Sequence, residues 1–342
     1  MTVKYGFNDR PQYSIICNGL TKNYGSQIAV DHIDLKIKDG SIFGLLGPNG
    51  AGKTTIIKML TGLTNPTNGE AYVAEYNVVK DVVKVKENIG WISSEVILDD
   101  SLTTMENIWL QSKLHGIGKQ WKIKATELLK YFELDETDKK KVGQFSTGMR
   151  KKLEITMALL HEPKILFMDE PTVGLDANTR RSLWNLIKKI NKLYRVTVLL
   201  TTHYIEEADV LCDNLAIINH GKIIANGSPE ELKSMIGEDI LEIEFFTSFD
   251  FSVIKNIEGV KTINQQKDQL SSEIETDSKG KSLKLIIKVK NAQTVLPELI
   301  FTINKVKQNI IKSIKIQKPN LESIFLELTG KHFNENEDSQ DN

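Results

Sequence analysis

The chain has 342 residues, 40% of them hydrophobic, and a formal net charge of -1, which suits one large domain or a domain with a smaller companion. That near-neutral balance lacks the basic field that would neutralise a phosphate backbone, so nucleic acid is not an expected partner. No apolar stretch reaches the about 18 residues that cross a bilayer, and MTVKYGFNDRPQ has no apolar signal-peptide centre, so a cytoplasmic or peripheral protein is expected.

Cys17 and Cys212 belong to no metal or redox spacing and read as buried apolar residues in a reducing compartment. Alternating Ile33, Leu35 and Ile37 predict a half-buried strand, and the apolar run Ile42 to Leu46 predicts a buried one. The run ends in a glycine-rich segment, after which Ile56, Ile57, Leu60 and Leu63 fall at helical spacing. Ile165 to Met168 and Val196 to Leu200 read as two further buried strands. Between them Leu183, Leu186, Ile187, Ile190 and Leu193 fall at helical spacing, the mark of a crossover in a parallel sheet. The main domain is therefore expected to be α/β.

Past Gly227-Ser228-Pro229, a helix from Glu230 to Met235 leads to Gly237, where the character of the sequence changes. The expected division is an extension at 1–13, a main domain at 14–236, an accessory domain at 237–330 and a disordered acidic tail at 331–342. The accessory segment reads as a strand (Leu241, Ile243, Phe245), a helix (Phe251 to Ile257), a strand near Val260 and a strand from Leu283 to Val289. A helix (Ala292 to Val306) and a strand (Ile314, Ile316) complete a ferredoxin-like order. LESIFLELTG, Leu321 to Gly330, predicts an amphipathic helix.

The segment Gly47, Pro48, Asn49, Gly50, Ala51, Gly52, Lys53, Thr54 fits GxxxxGK[ST] and is followed by Thr55. Glycines at this spacing let backbone N–H groups turn inward around phosphate oxygens, and the helix behind them aims its positive end at the same anion. Lys53 would reach the β- and γ-phosphates of ATP, and Thr54 would coordinate Mg²⁺. The strand ILFMDE presents Asp169 to hold that metal and Glu170 to orient or deprotonate an attacking water. An acidic pair after a strand is ordinarily solvated; beside a phosphate loop it becomes a candidate catalytic pair.

GLLGPNGAGKTT, FSTGMRKKLEI, ILFMDEPTVGLD and TTHYIEEAD, in this order, resemble the nucleotide-binding subunit of an ABC transporter from Ser14 to Met235. The resemblance implies a P-loop fold of ABC type: a mixed sheet core, an antiparallel β subdomain and a helical subdomain, here with a small α+β domain appended. ATP and Mg²⁺ are the implied cofactors, with Lys53, Glu170 and His203 catalytic. A lone histidine after a strand is usually structural; His203 in TTHYIEEAD matches the switch histidine that contacts γ-phosphate. Ser146, Thr147 and Gly148 match the signature that contacts ATP bound to the opposite subunit of a head-to-tail dimer. Thr147 replaces one of two adjacent glycines there. Asp176, in GLD, resembles the loop linking the two composite sites, and Tyr24 matches the aromatic residue that stacks on adenine.

Ser94 occupies a position where related sequences place a glutamine that touches Mg²⁺ and the water. Its shorter side chain favours a water-mediated metal contact and altered coupling. The segment LDDSLTTMENIWLQSKLHG, the signature variant and the C-terminal appendage resemble drug and antibiotic exporters. The expected function is thus an ATP-hydrolysing subunit, in a homodimer or heterodimer, on a polytopic ABC-2 type permease at the cytoplasmic face of the cell membrane. One alternative is a slow-hydrolysing regulatory subunit of a heterodimer, which Ser94 and Thr147 favour and Glu170 and His203 oppose. Another is a non-transport ABC ATPase, opposed by the single ATPase unit and the lack of a long coiled-coil insertion. Trp91, Trp109, Trp121 and Trp184 read as packing residues, and Lys139-Lys140-Lys141 as a solvated loop.

Overall fold

The computed structural model describes residues 12–94, 97–134, 140–236, 239–247, 249–266, 283–317 and 320–329. Most of the expected extension, the tail 331–342 and Lys139 lie outside them. The chain divides into two compact units, the second running from Glu230 to Thr329. The division falls at the start of the helix Pro229–Ile236.

The first unit opens with β1 (Tyr13–Tyr24), β2 (Gln27–Lys38), β3 (Ile42–Leu46) and α1 (Lys53–Leu60). β4 (Asn68–Val73), β5 (Tyr76–Asn77), α2 (Val82–Glu87) and β6 (Ile89–Ile92) follow. Then α3 (Thr104–Leu114), α4 (Trp121–Tyr131) and α5 (Thr147–Leu159) pack on one another as a helical group. β7 (Ile165–Asp169), α6 (Ala177–Tyr194), β8 (Thr197–Thr202), α7 (Ile205–Leu211), β9 (Asn214–Asn219) and β10 (Lys222–Gly227) complete the unit.

Its six-stranded sheet has the order β10-β9-β3-β8-β7-β6 and is parallel except for the β10-β9 pair. A second, antiparallel sheet has the order β2-β1-β4-β5. The alternation in β2 places Ile33, Leu35 and Ile37 on one face, where they join Phe43 and Leu45 of β3 and Ile56, Ile57 and Leu60 of α1 in one core. β3, β7 and β8 are buried along their whole length, as strands covered on both faces must be. β7, α6 and β8 form the expected crossover, with Leu183, Leu186, Ile187 and Ile190 buried.

Two apolar positions depart from their predicted helical faces. α1 stops at Leu60 because the N–H groups of Leu63 and Thr64 fold back onto Lys58 O, leaving Leu63 half exposed. Leu193 lies in the last turn of α6 and is exposed. Cys17 and Cys212 are buried free thiols; burial pushes Cys17 up to about 12 and Cys212 well above its ordinary value.

The second unit contains α8 (Pro229–Ile236) from its second residue on, then β11 (Asp239–Phe245), β12 (Val260–Gln266), β13 (Leu283–Val289), α9 (Ala292–Val306), β14 (Ile311–Gln317) and α10 (Leu321–Thr329). The sheet order is β12-β13-β11-β14, antiparallel throughout. Leu241, Ile243 and Phe245 face Leu283, Leu285 and Ile287 in register, and α9 adds Val295, Leu299 and Ile303 to a core of their own. The helix expected from Phe251 to Ile257 is one 3-10 turn, Phe251–Ile254. The Val260 N–H closes onto Ile257 O and turns the chain into β12 before a helix can extend.

Candidate functional site

β3 delivers the glycine-rich loop at the centre of the parallel sheet. The Gly47 N–H donates to Thr202 O at the end of β8 over 3.2 Å, which pins the loop to the neighbouring strand. Gly52 sits at φ 103, and a Cβ there would lie 2.5 Å from Ala29 O, so only glycine fits. α1 starts at the next residue without a side-chain cap, leaving its first-turn N–H groups available to an anion. Lys53 is 5% exposed and its Nζ donates to Gly47 O (2.7 Å) and Pro48 O (3.0 Å) within its own loop. Burial lowers its pKa, and Glu170, with Nζ to Oε1 at 3.3 Å, counteracts part of that fall together with Asp169.

Asp169 ends β7 and accepts from Thr54 Oγ1 (3.2 Å) and Thr201 Oγ1 (2.5 Å). A hydroxyl beside a carboxylate fits a hard cation that keeps its waters and takes its other ligands from phosphate. No group of three or more acidic, histidine or cysteine side chains could hold a metal by itself among the described residues. Thr54 and Asp169 therefore fit Mg²⁺ as a partner of a bound phosphate, not as a metal caged by protein.

Glu170 turns out of the strand at φ 49, a conformation uncommon for a side-chain-bearing residue. Its N–H donates to both Thr201 O and Thr201 Oγ1, at 3.2 and 3.0 Å, which holds that turn in place. The carboxylate then spans two cations or donors: Oε1 faces Lys53 and Oε2 lies 3.2 Å from His203 Nδ1. Thr201 was not singled out by the sequence reading. Its signal was the hydroxyl pair Thr201-Thr202 just before His203.

The remaining predicted residues lie elsewhere. Ser146 caps α5 by accepting from the Met149 N–H at 3.3 Å, and Thr147 opens that helix with an exposed side chain. Ser146 and Gly148 line a groove of about 330 Å³ with Met149, Asn178 and Thr179. A Cβ at Gly148 would come 2.8 Å from Thr179 Cγ2, so glycine permits this approach of α5 to α6. Asp176 caps α6, its Oδ1 accepting from the N–H groups of Asn178 and Thr179 at 3.0 Å. Hydrogen bonds from Thr179 hold its carboxyl below the usual range.

Tyr24 is half exposed at the end of β1, with Lys22 Nζ 5.1 Å from its ring centroid. Ser94 is exposed two residues past β6, whose Ile92 pairs with Met168, so it shares a sheet edge with Asp169. The hydroxyls that bond Asp169 are those of Thr54 and Thr201 rather than Ser94. Trp184 is buried as expected, whereas Trp109 is 47% exposed, with Lys113 Nζ 5.9 Å from its ring centroid.

Residues 30–173 match the family described as ABC transporter. The linearmycin resistance ATP-binding protein LnrL of Bacillus subtilis (strain 168) is 36% identical over 313 residues, which cover 91% of this chain and 97% of LnrL. The doxorubicin resistance ATP-binding protein DrrA of Mycobacterium tuberculosis (strain ATCC 25618 / H37Rv) is 41% identical over 233 residues, 67% of this chain and 70% of DrrA. The dimeric ATP-binding cassette MJ0796, solved in a post-hydrolysis state with ADP and Pi, is similar at a TM-score of 0.56 and 28% identity, covering 63% of this chain and 98% of that one. With the loop, the acidic pair and the histidine assembled at one sheet edge, these similarities establish that the chain belongs to the family of ABC transporter ATP-binding subunits.

Proposed function

We propose that this chain hydrolyses ATP and, in a head-to-tail dimer with a second cassette, powers an ABC exporter of the drug-resistance type through a separate polytopic ABC-2 type permease. The observation that carries this reading is Glu170, held between Lys53 and His203 at the mouth of α1. With both carboxylate oxygens engaged, its orientation is fixed before a water arrives, and positioning is most of what phosphoryl transfer needs. Lys53 exchanges the carbonyls of Gly47 and Pro48 for phosphate oxygens when ATP binds. Thr54 and Asp169 would hold Mg²⁺, which would supply charge neutralisation for those oxygens.

The signature residues Ser146 and Gly148 line a groove with Asn178 and Thr179 instead of the phosphate loop. One chain thus carries two half-sites, which favours closure against a second copy or a related cassette. The resistance proteins LnrL and DrrA support the exporter assignment, and MJ0796 supports the dimer.

The test is ATP turnover by the purified chain. Glu170→Gln is expected to lower turnover at least about a hundredfold, within the range of a lost general base. ATP should drive that variant into a dimer on size-exclusion chromatography. Equal turnover by the two proteins overturns the proposal.

A further inference from the structure

His203 reaches Glu170 through one hydrogen bond, Nδ1 to Oε2 at 3.2 Å, between two part-buried side chains. A single bond fixes the distance between two groups but leaves an imidazole free to turn about it. The constraint on that turn comes from the next residue. The Tyr204 ring lies against the imidazole, with centroids 4.1 Å apart and planes tilted by 44°. Its own backbone is fixed on both sides: the Tyr204 N–H donates to Thr202 Oγ1 at 2.9 Å, and its carbonyl accepts from the Ala208 N–H at 3.2 Å as α7 begins.

Tyr204 is held in turn by α6. The Arg180 guanidinium lies 4.3 Å from the Tyr204 ring centroid, within cation–π range. Its Nη2 donates to Leu175 O at 3.3 Å. The Leu175 N–H donates to Thr172 O at 3.2 Å and the Val173 N–H to Glu170 O at 3.3 Å, so the carbonyl that Arg180 grips belongs to the turn that leaves Glu170. These contacts close a circuit, from the Glu170 carboxylate through His203, Tyr204, Arg180 and Leu175 and back along the turn to Glu170. The Trp184 indole N–H of α6 donates to Glu207 Oε1 of α7 at 3.0 Å, which pins together the helix that carries Arg180 and the helix that follows Tyr204.

We infer that Arg180 and Tyr204 are positioning residues: guanidinium, phenol ring and imidazole form one stack that sets the direction in which His203 meets Glu170. Lys53 and the N-terminus of α1 stand outside the stack. Its loss therefore slows turnover more than it weakens ATP binding.

This inference rests on the proposed ATPase activity, and the experiment keeps the two apart. The first readout needs no turnover. In proton–carbon NMR of the full chain labelled at its six histidines, the His203 signal is assigned by its disappearance in His203→Gln. Tyr204→Leu removes the ring current beside the imidazole and should displace that signal, whereas Tyr204→Phe keeps the ring and should leave it near the parent position. The second readout is steady-state ATPase. Tyr204→Leu and Arg180→Met are each expected to lower kcat about threefold or more with KM for ATP within about twofold. Tyr204→Phe should hold kcat within about twofold of the parent. Because both residues act through one stack, Tyr204→Leu combined with Arg180→Met should lose no more than about twofold beyond the weaker single variant. An unmoved His203 signal in Tyr204→Leu, a phenylalanine variant no better than leucine, or losses that multiply in the double variant would each refute the stack. A parent protein with no turnover above Glu170→Gln would instead refute the ATPase reading, and the NMR signal would still decide whether Tyr204 sets the imidazole.

Discussion

Glu170 shows how one side chain is prepared by several others. Its φ of 49 would be unfavourable in isolation, and the paired bonds to Thr201 hold it there. Ser94 stands at the same sheet edge but outside the hydrogen bonds of Asp169. Restoring the longer amide should let it reach the metal and the water directly. Ser94→Gln is expected to change permease-stimulated ATPase at least about twofold while leaving KM for ATP in place, and an unchanged stimulated rate would remove any coupling role for this position. Lys53, Thr54, Asp169, Glu170 and His203 each sit at a fixed offset from a strand end, so local spacing singled out side chains that the structure brings together. The burial of Glu207 was not legible, because the adjacent pair Glu206-Glu207 does not say which carboxylate faces inward. Only the packing of α7 against α6 shows which of the two is inside.

Among elements, the contact of α5 with β6 carries a pH dependence that is separate from catalysis. His161 lies just past the end of α5, donates from Nε2 to Ile89 O of β6 at 2.8 Å, and stacks on His115 with ring centroids 4.1 Å apart. Burial pushes its pKa down to about 4, and His115 and Lys124 push in the same direction. The folded chain therefore binds a proton at this site less readily than the unfolded chain. The stability tied to neutral His161 is present above about pH 6.5 and is lost as pH falls toward about 4. His161→Gln keeps a donor for Ile89 O, and its urea midpoint should drop less than the parent's between pH 7 and pH 5; equal drops would show that His161 does not govern this range. The strands β2, β3, β7 and β8 and the helices α1 and α6 were predictable from period, whereas β6, α3 and α5 around His161 were not read from it. The exceptions were Leu63, shed by a C-terminal turn, and the single turn at Phe251, both set by backbone hydrogen bonds that periodicity does not carry.

At the scale of the molecule, the two units have separate cores, one around Ile15, Phe43 and Ile57 and one around Leu241, Leu285 and Leu299. Residues 230–329, expressed alone, should unfold in one cooperative transition by circular dichroism, since a four-stranded sheet covered by α9 has its own apolar interior. A featureless melt would mean that this core depends on the rest of the chain. The strand succession of this unit was readable from alternation. The buried cysteines bear on how such a protein can be studied. Cys17 and Cys212 are the chain's two cysteines, both sealed in the interior with thiols pushed away from their reactive form. The native surface therefore presents maleimide reagents with neither thiol, and a cysteine introduced at the exposed Thr147 would be a single addressable point for a fluorophore that tests the proposed closure of two cassettes.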